Sequence, residues 1–482
     1  MLQGQSAHAK VLAQVLFISR AFHFGLELFR KGHLMKTFKT ALAAVAWAGI
    51  SSSAAIAQTA THGWVQYTFD SKAQARVVIA ATETCPQIMH DTGKVDMILR
   101  SKNAPTGFDK IRVCEGDVDA TMMNMSAGGI SLPTPKADPK KIAVLGDTGC
   151  RVAYGTVQNC TGNGTGPKWD YVDVANSAAG QSPDLLIHVG DMHYREESYG
   201  KCGPTKGCLQ KNIGLTWSSW QADFFDPSAK LLSAAAMIPV RGNHEDCSRA
   251  WRGWFFLLDP EPIELANDIW PDQCPTADLA GQNWNYTAPY PVKFDNLQVI
   301  VMDTSRIDHD TRRYPDGAMV AQYTGEFTHI EKIAQDAGTL SSWLVTHRPF
   351  WAVASWGTDS AGPTDLTLQA ALKASKEGAL PAQVKATMAG HIHLAQQVNF
   401  PDARPKQFVF GNGGTKRDPA LGTASGLSAQ TITALRRIGA DKDSFFWSYD
   451  FSYGIITAGA STWDVAFKDK AGADLHQTTF SR

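Results

Sequence analysis

The sequence predicts a layered α/β protein with a small β-rich domain on its N-terminal side. Three observations carry this. Residues 58–136 read as short strands separated by turns. From Lys141 onward, short apolar runs alternate with helical stretches, the pattern of a layered core. Five of those runs end in polar residues able to bind metals or move protons.

The first 57 residues are set apart from the fold. From Met35 the chain runs Met-Lys-Thr-Phe-Lys, then an apolar segment over residues 41–50, then small residues ending Ala55-Ile56-Ala57 before Gln58. A basic start, an apolar middle and an A-x-A site describe a secretory signal cleaved after Ala57, with residues 1–34 as an upstream extension. The alternative is a membrane anchor, for which the apolar stretch is short and Ser-rich. Export leads to a periplasmic or secreted protein with no stable membrane insertion after cleavage. Removing residues 1–57 leaves 425 of 482, enough for a large α/β domain and a smaller companion. Charge is nearly balanced, with 45 basic and 46 acidic residues and no long basic run, so no nucleic-acid partner is expected. Oligomeric state is not legible.

All eight cysteines, Cys85, Cys114, Cys150, Cys160, Cys202, Cys208, Cys247 and Cys274, follow the signal. An even count in an oxidising compartment argues for disulfides. Sequential pairing is expected: Cys85 with Cys114, Cys150 with Cys160, Cys202 with Cys208, Cys247 with Cys274. A structural zinc site is the rival reading, but no tight C-x-x-C pair supports it.

Residues 64–69, 75–80 and 97–100 are rich in β-branched, aromatic or alternating residues, and Asp91-Thr-Gly93 and Ala127-Gly-Gly129 punctuate them as turns. They predict a small sandwich-like domain over 58–136, with a linker at 133–139 and the main domain over 137–482. Beyond it, Trp169, Val172, Ala175 and Ala179 recur at helical spacing, and Trp217, Trp220, Phe224 and Leu231 mark a second helix. The aromatic stretch 251–258 is expected to pack in the core or within a loop rather than to form a substrate rim.

The five strand ends are the chemical signal. Residues 141–145 deliver Gly146-Asp147-Thr148-Gly149, 184–189 deliver Gly190-Asp191-Met192-His193-Tyr194, and 237–240 deliver Gly242-Asn243-His244-Glu245. Residues 343–346 deliver His347, and 386–389 deliver Gly390-His391-Ile392-His393. Open α/β sheets place ligands at the C-terminal ends of their strands. Carboxylate, imidazole, amide oxygen and phenolate converging there suit hard or borderline metal ions, and this many ligands suggests two. Asp191 is the natural bridge, because an anion between two cations offsets their repulsion. Read without chemistry, the same residues would be turn and core polar groups.

In order, these motifs resemble the five blocks of the calcineurin-like metallophosphoesterases, over about residues 141–415. Within that superfamily they look most like the purple acid phosphatases, because the first block is Asp147-x-Gly149 and the second adds Tyr194. The resemblance implies two mixed β-sheets flanked by helices. It also implies two metal ions: Fe(III) held by Asp147, Asp191, Tyr194 and His393, and Zn, Mn or Fe(II) held by Asp191, Asn243, His347 and His391. The implied function is hydrolysis of phosphomonoesters, small phosphorylated substrates, by metal-bound hydroxide, with His244 binding phosphate or assisting the leaving group. Trp356 stands where the animal enzymes have a supporting His, so the general acid is His244 alone or shared with Arg348, Arg195 or His193. Arg195 and Arg348 suit phosphate contacts, with salt bridges as the alternative. His188 and His193 are expected to be structural, and Gly411-Asn412-Gly413-Gly414 a tight turn near the site. Two other readings stay open: a phosphodiesterase of the same superfamily, and a secreted phosphate- or metal-binding protein without turnover.

Overall fold

The computed structural model describes residues 59–153, 156–161, 166–195, 215–247, 249–262, 287–306, 315, 317–355 and 361–482. The signal region with Met35 and Ala57, and Cys202, Cys208, Cys274 and Trp356, lie outside the described residues. Residues Gln58–Arg482 form one compact unit.

In chain order the strands of the two main sheets are β1 (His62–Tyr67), β2 (Ala73–Ala80), β3 (Ile98–Leu99), β4 (Ile111–Val118), β5 (Lys141–Leu145), β6 (Leu185–His188), β7 (Ala236–Pro239), β8 (Tyr290–Lys293) and β9 (Gln298–Val301). They continue as β10 (Ser342–Val345), β11 (Val384–Ala389), β12 (Ala395–Val398), β13 (Lys406–Phe410), β14 (Phe446–Ser448), β15 (Ser452–Ala458), β16 (Thr462–Asp469) and β17 (Asp474–Ser481). The helices used below are α1 (Tyr171–Gly180), α2 (Asp226–Ala234), α3 (Gly317–Asp336), α4 (Leu366–Ala374) and α5 (Ala429–Arg437).

Among the described residues, one mixed sheet runs β17-β16-β15-β5-β6-β7-β1-β2-β4-β3 and the other β8-β9-β10-β11-β13-β12-β14. The sheets face each other across one core, and helices cover both outer faces. In β5, Ile142 and Val144 point into the inter-sheet core while Ala143 and Leu145 point under α1 and α2. In β10, Trp343 and Val345 face the inter-sheet core while Leu344 faces α3 and α4. Strands buried on both faces must be apolar throughout, which is why these runs read as continuous rather than alternating.

The expected boundary near residue 136 does not separate two bodies. β1 pairs in parallel with β7, and β2 and β4 extend the same sheet by antiparallel pairing. A smaller sheet of Gly93–Asp96, Gln87–His90, Ser126–Ala127 and Ile130–Ser131 accounts for the rest of the β-rich segment. The segment also grips the aromatic stretch. Arg76 Nη1 donates to the Leu257 carbonyl at 2.8 Å, Arg100 Nη2 to those of Asp259 and Glu261 at 2.9 and 3.0 Å, and Gln66 Nε2 to that of Leu258 at 2.7 Å. These side chains satisfy carbonyls left without partners at a helix C-terminus. Phe255 to Leu258 are buried as core, not as a rim.

Helix α1 is rotated from expectation: it buries Tyr171, Val174, Ala175 and Ala178, and Val172 is 42% exposed. The Tyr171 hydroxyl bonds to Ser228 Oγ on α2, which sets that face inward.

Candidate metal centre

Strands β5, β6 and β7 run parallel, as do β10, β11 and β13, so six strand ends open on one edge. There Asp147, Asp191 and His391 take left-handed backbone conformations, with φ of 54°, 56° and 69°. Non-glycine residues rarely adopt these, and such strain concentrates at functional sites. The glycines beside them permit close approach. A Cβ on Gly190, whose φ is 95°, would sit 2.6 Å from His347 Nδ1 and 2.9 Å from Gly242 Cα; one on Gly242 would sit 2.1 Å from Asp191 Oδ1. Gly190→Ala is therefore expected to displace His347, lowering stability by about 1–3 kcal/mol and activity by at least about tenfold. Thermal melts with activity assays check this, and a variant matching the parent in both would refute it.

The side chains converge. The Tyr194 hydroxyl lies 2.6 Å from Asp191 Oδ2, 3.1 Å from Asp147 Oδ1 and 2.9 Å from His393 Nε2. His347 Nε2 is 3.3 Å from Asp191 Oδ2 and 3.0 Å from Asn243 Oδ1. Among the described residues, two donor groups each have ligand atoms within 4.8 Å of one another: Asp147, Asp191 and His393, and Asp191, His347 and His391. Asp191 belongs to both.

Other contacts aim these side chains. His347 Nδ1 donates to the Val189 carbonyl at 2.8 Å, which presents Nε2 to the cluster. His393 Nδ1 is 2.7 Å from the Lys416 carbonyl, and the Asp147 carboxylate accepts from the His391 amide at 2.8 Å. The turn at 411–414 closes over Asp147, where a Gly411 Cβ would lie 3.0 Å from Asp147 Oδ2.

The electrostatics fit bound cations. Burial pushes the Asp147 carboxyl up, and burial with two neighbouring carboxylates pushes the Tyr194 phenol well above its usual range. Burial also opposes charge on Asp191, but the His347 and His244 imidazoles hold its carboxyl well below the usual range. Burial would lower His347, yet Asp191 raises it to about 9. Protons thus hold together a buried set of oxygen and nitrogen donors, and cations at the same place would invert that logic. This donor chemistry suits hard and borderline metals.

Several residues fall elsewhere. Arg195 is 3% exposed, its Nε pairs with Asp223 Oδ1, and its guanidinium lies over Trp169. Arg348 is equally buried, with Nη1 3.3 Å from Asp365 Oδ1. Both therefore form the salt bridges that were the alternative to phosphate contacts. His188 meets Thr148 Oγ1 and His193 meets Ser219 Oγ, each at 3.0 Å within the core. The expected disulfides Cys85–Cys114 and Cys150–Cys160 are present, and Cys247 is disulfide-bonded with its partner outside the described residues.

Sequence reasoning missed three residues. Glu245 closes the third motif with no role that the motif implies, yet its carboxylate accepts from the amides of Asp191, Met192, His193 and Gly242 at 2.9–3.0 Å. Burial and Asp191 push it up to about 8, against the pull of those amides. Asp223 accepts from the amides of Cys150, Tyr194 and Arg195 at 2.8–3.1 Å, tying the first two loops together. Arg151, half-buried, donates from Nη1 to His244 Nε2 at 3.2 Å. Nothing local marked Asp223, whereas Arg151 follows a disulfide cysteine four residues after Asp147.

No curated protein sequence is matched by this chain. Among solved structures, the chain resembles PhoD at 11% identity and a TM-score of 0.51, covering 87% of this chain and 88% of that one; this shows a shared fold. A second similar structure is GAP50, described as the anchor in the inner membrane complex of Plasmodium, at 12% identity, a TM-score of 0.42, and 71% and 89% coverage. The family model for calcineurin-like phosphoesterases matches residues 140–395, more than half of the chain and the span holding all five strand-end motifs. The protein is a member of the calcineurin-like phosphoesterase family.

Proposed function

We propose that the protein is an exported, dinuclear phosphatase of purple acid phosphatase type that hydrolyses phosphomonoesters. The observation that carries this reading is the Tyr194 hydroxyl, placed within 2.6–3.1 Å of Asp147, Asp191 and His393. A phenolate among two carboxylates and an imidazole suits a ferric ion. Asp191, Asn243, His347 and His391 would then hold Zn, Mn or Fe(II). Such ions, when bound, acidify water and neutralise phosphate charge. Asp191 joins the two ligand sets, and Asn243 and His347 fix the second beside the first. His244 stacks on Tyr194 with ring centroids 3.9 Å apart, and its Nε2 lies 3.9 Å from Asp191 Oδ2, at the edge of the ligand cluster. Hydrolysis forms a bond from water oxygen to phosphorus and breaks the ester P–O bond; the His244 imidazole can take up the proton that the attacking water loses and pass it to the leaving alcohol.

Export is supported by the signal-like residues 35–57 and by disulfides, which persist in oxidising compartments. No helix among the described residues is long and apolar enough to cross a membrane.

The test is metal analysis and visible absorption of the mature chain from Gln58, with p-nitrophenyl phosphate and bis-p-nitrophenyl phosphate as substrates. The expected result is iron with a second metal, a visible band lost in Tyr194→Phe, and preferential monoester cleavage that falls about 100-fold in His244→Ala. A colourless, active enzyme lacking iron overturns the ferric assignment. Preferential diester cleavage overturns the monoesterase.

A further inference from the structure

We propose that Arg151 recognises the free, doubly charged end of a phosphomonoester and so gives the site its preference for monoesters over diesters; the proposal rests on the phosphatase reading above.

The arginine is held in place before any substrate arrives. The Cys150–Cys160 disulfide closes the loop that carries it, and Val152–Ala153 pairs with Thr156–Val157 as a short hairpin. The Arg151 amide donates to Gln158 Oε1, and its carbonyl accepts from the Gln158 amide, both at 2.8 Å. Gln158 Nε2 in turn donates to the Gly414 carbonyl at 3.0 Å, and the Val152 amide donates to the Tyr194 carbonyl at 3.0 Å. The hairpin is thus tied both to the turn that closes over Asp147 and to the loop that presents Tyr194. Preorganisation of this kind lowers the entropy lost when a ligand is bound.

Its head group faces the cluster. The guanidinium lies 5.2 Å from the Tyr194 ring centroid, and Nη1 reaches His244 Nε2, itself 3.9 Å from Asp191 Oδ2. Arg195 and Arg348 point their charges into Asp223 and Asp365, whereas no carboxylate among the described residues pairs with Arg151. A half-buried guanidinium beside the ligand cluster, with no carboxylate partner among the described residues, has donors to offer a ligand.

The chemistry of the two ester classes separates them at this position. A monoester dianion has three non-bridging oxygens. With two turned toward the ligand cluster, the third still carries charge and meets the planar fork of a guanidinium. In a diester that third corner is an ester oxygen with its substituent, which brings no charge and occupies the space of the arginine. Guanidinium has donors and no acceptor, so it is Arg151 that donates to His244 Nε2. Turning those donors to the phosphoryl group releases that nitrogen at the moment substrate arrives.

The experiment compares wild type, Arg151→Ala and Arg151→Lys in metal-replete protein. It measures kcat and KM for p-nitrophenyl phosphate and bis-p-nitrophenyl phosphate, and affinity for inorganic phosphate by calorimetry. In Arg151→Ala, kcat/KM for the monoester is expected to fall about 10–100-fold, mostly through KM, with phosphate affinity falling by a similar factor. The diester value changes less than about threefold, and Arg151→Lys, with charge but no fork, lies between. Equal losses on both esters, or unchanged phosphate affinity, overturn the proposal. Wild type that binds phosphate but cleaves neither ester defeats the phosphatase reading alone, and the phosphate affinities still decide the role of Arg151. Wild type that does not bind phosphate defeats both. If the alanine variant does not fold, the lysine variant decides by the same measurements.

Discussion

Asp191→Asn is expected to reduce kcat/KM by about 1000-fold, equivalent to about 4 kcal/mol of transition-state stabilisation, and to lower bound metal from two ions to one or none. The substitution keeps volume and one oxygen. Oδ1 can still accept from the His244 amide at 2.8 Å, so the backbone of the third loop has reason to stay in place. What changes is the other corner. Oδ2 accepts the Tyr194 hydroxyl at 2.6 Å and faces His347 Nε2 at 3.3 Å, and Asp191 is the member that the two donor groups share. An amide nitrogen there carries no charge and cannot bind a cation. Elemental analysis, activity and a thermal melt of the purified variant read the outcome together. Full metal content with full activity would defeat the shared-carboxylate arrangement, whereas loss of both with an unchanged melt separates chemistry from folding.

The five strand ends were legible because two physical demands coincide in them. A strand buried on both faces must be apolar, and the chain must turn polar where such a strand reaches the edge of the sheet. The sequence at Asp147, Asp191, Asn243, His347 and His391 therefore announces both a fold and a place for chemistry. The N-terminal segment was legible as β structure but not as part of the main sheet, because β1 joins β7 across about 170 residues and no local pattern encodes such pairing. The arginines show a similar limit. Arg195 and Arg348 stand beside motif residues and invite a phosphate role, but their partners Asp223 and Asp365 come from other parts of the chain. Arg151 lies two residues beyond the first motif and outside its pattern, and its position depends on a disulfide and on Gln158, so proximity in space supplied what spacing did not.

Glu245→Ala is expected to destabilise the metal-replete protein by about 3–5 kcal/mol, although the residue would hold no metal and touch no substrate. Its carboxylate accepts four backbone N–H groups, three from the loop after β6 and one from Gly242. Those amides are buried where the chain turns through the left-handed Asp191, and neither sheet can satisfy them. Without the carboxylate they are orphaned together, and the loops bearing Asp191 and Asn243 lose their common anchor. Glu245→Gln keeps the volume but turns N–H donors toward N–H donors at one corner, so its loss should be intermediate. Denaturant unfolding of the three proteins gives the order wild type, glutamine, alanine. An alanine variant within 1 kcal/mol of wild type would mean that water or a shifted backbone satisfies the four amides, and that the two loops are held apart from Glu245. The expected order makes the first role of Glu245 to hold the second and third strand ends in register, so that ligands about 50 residues apart in sequence share one centre.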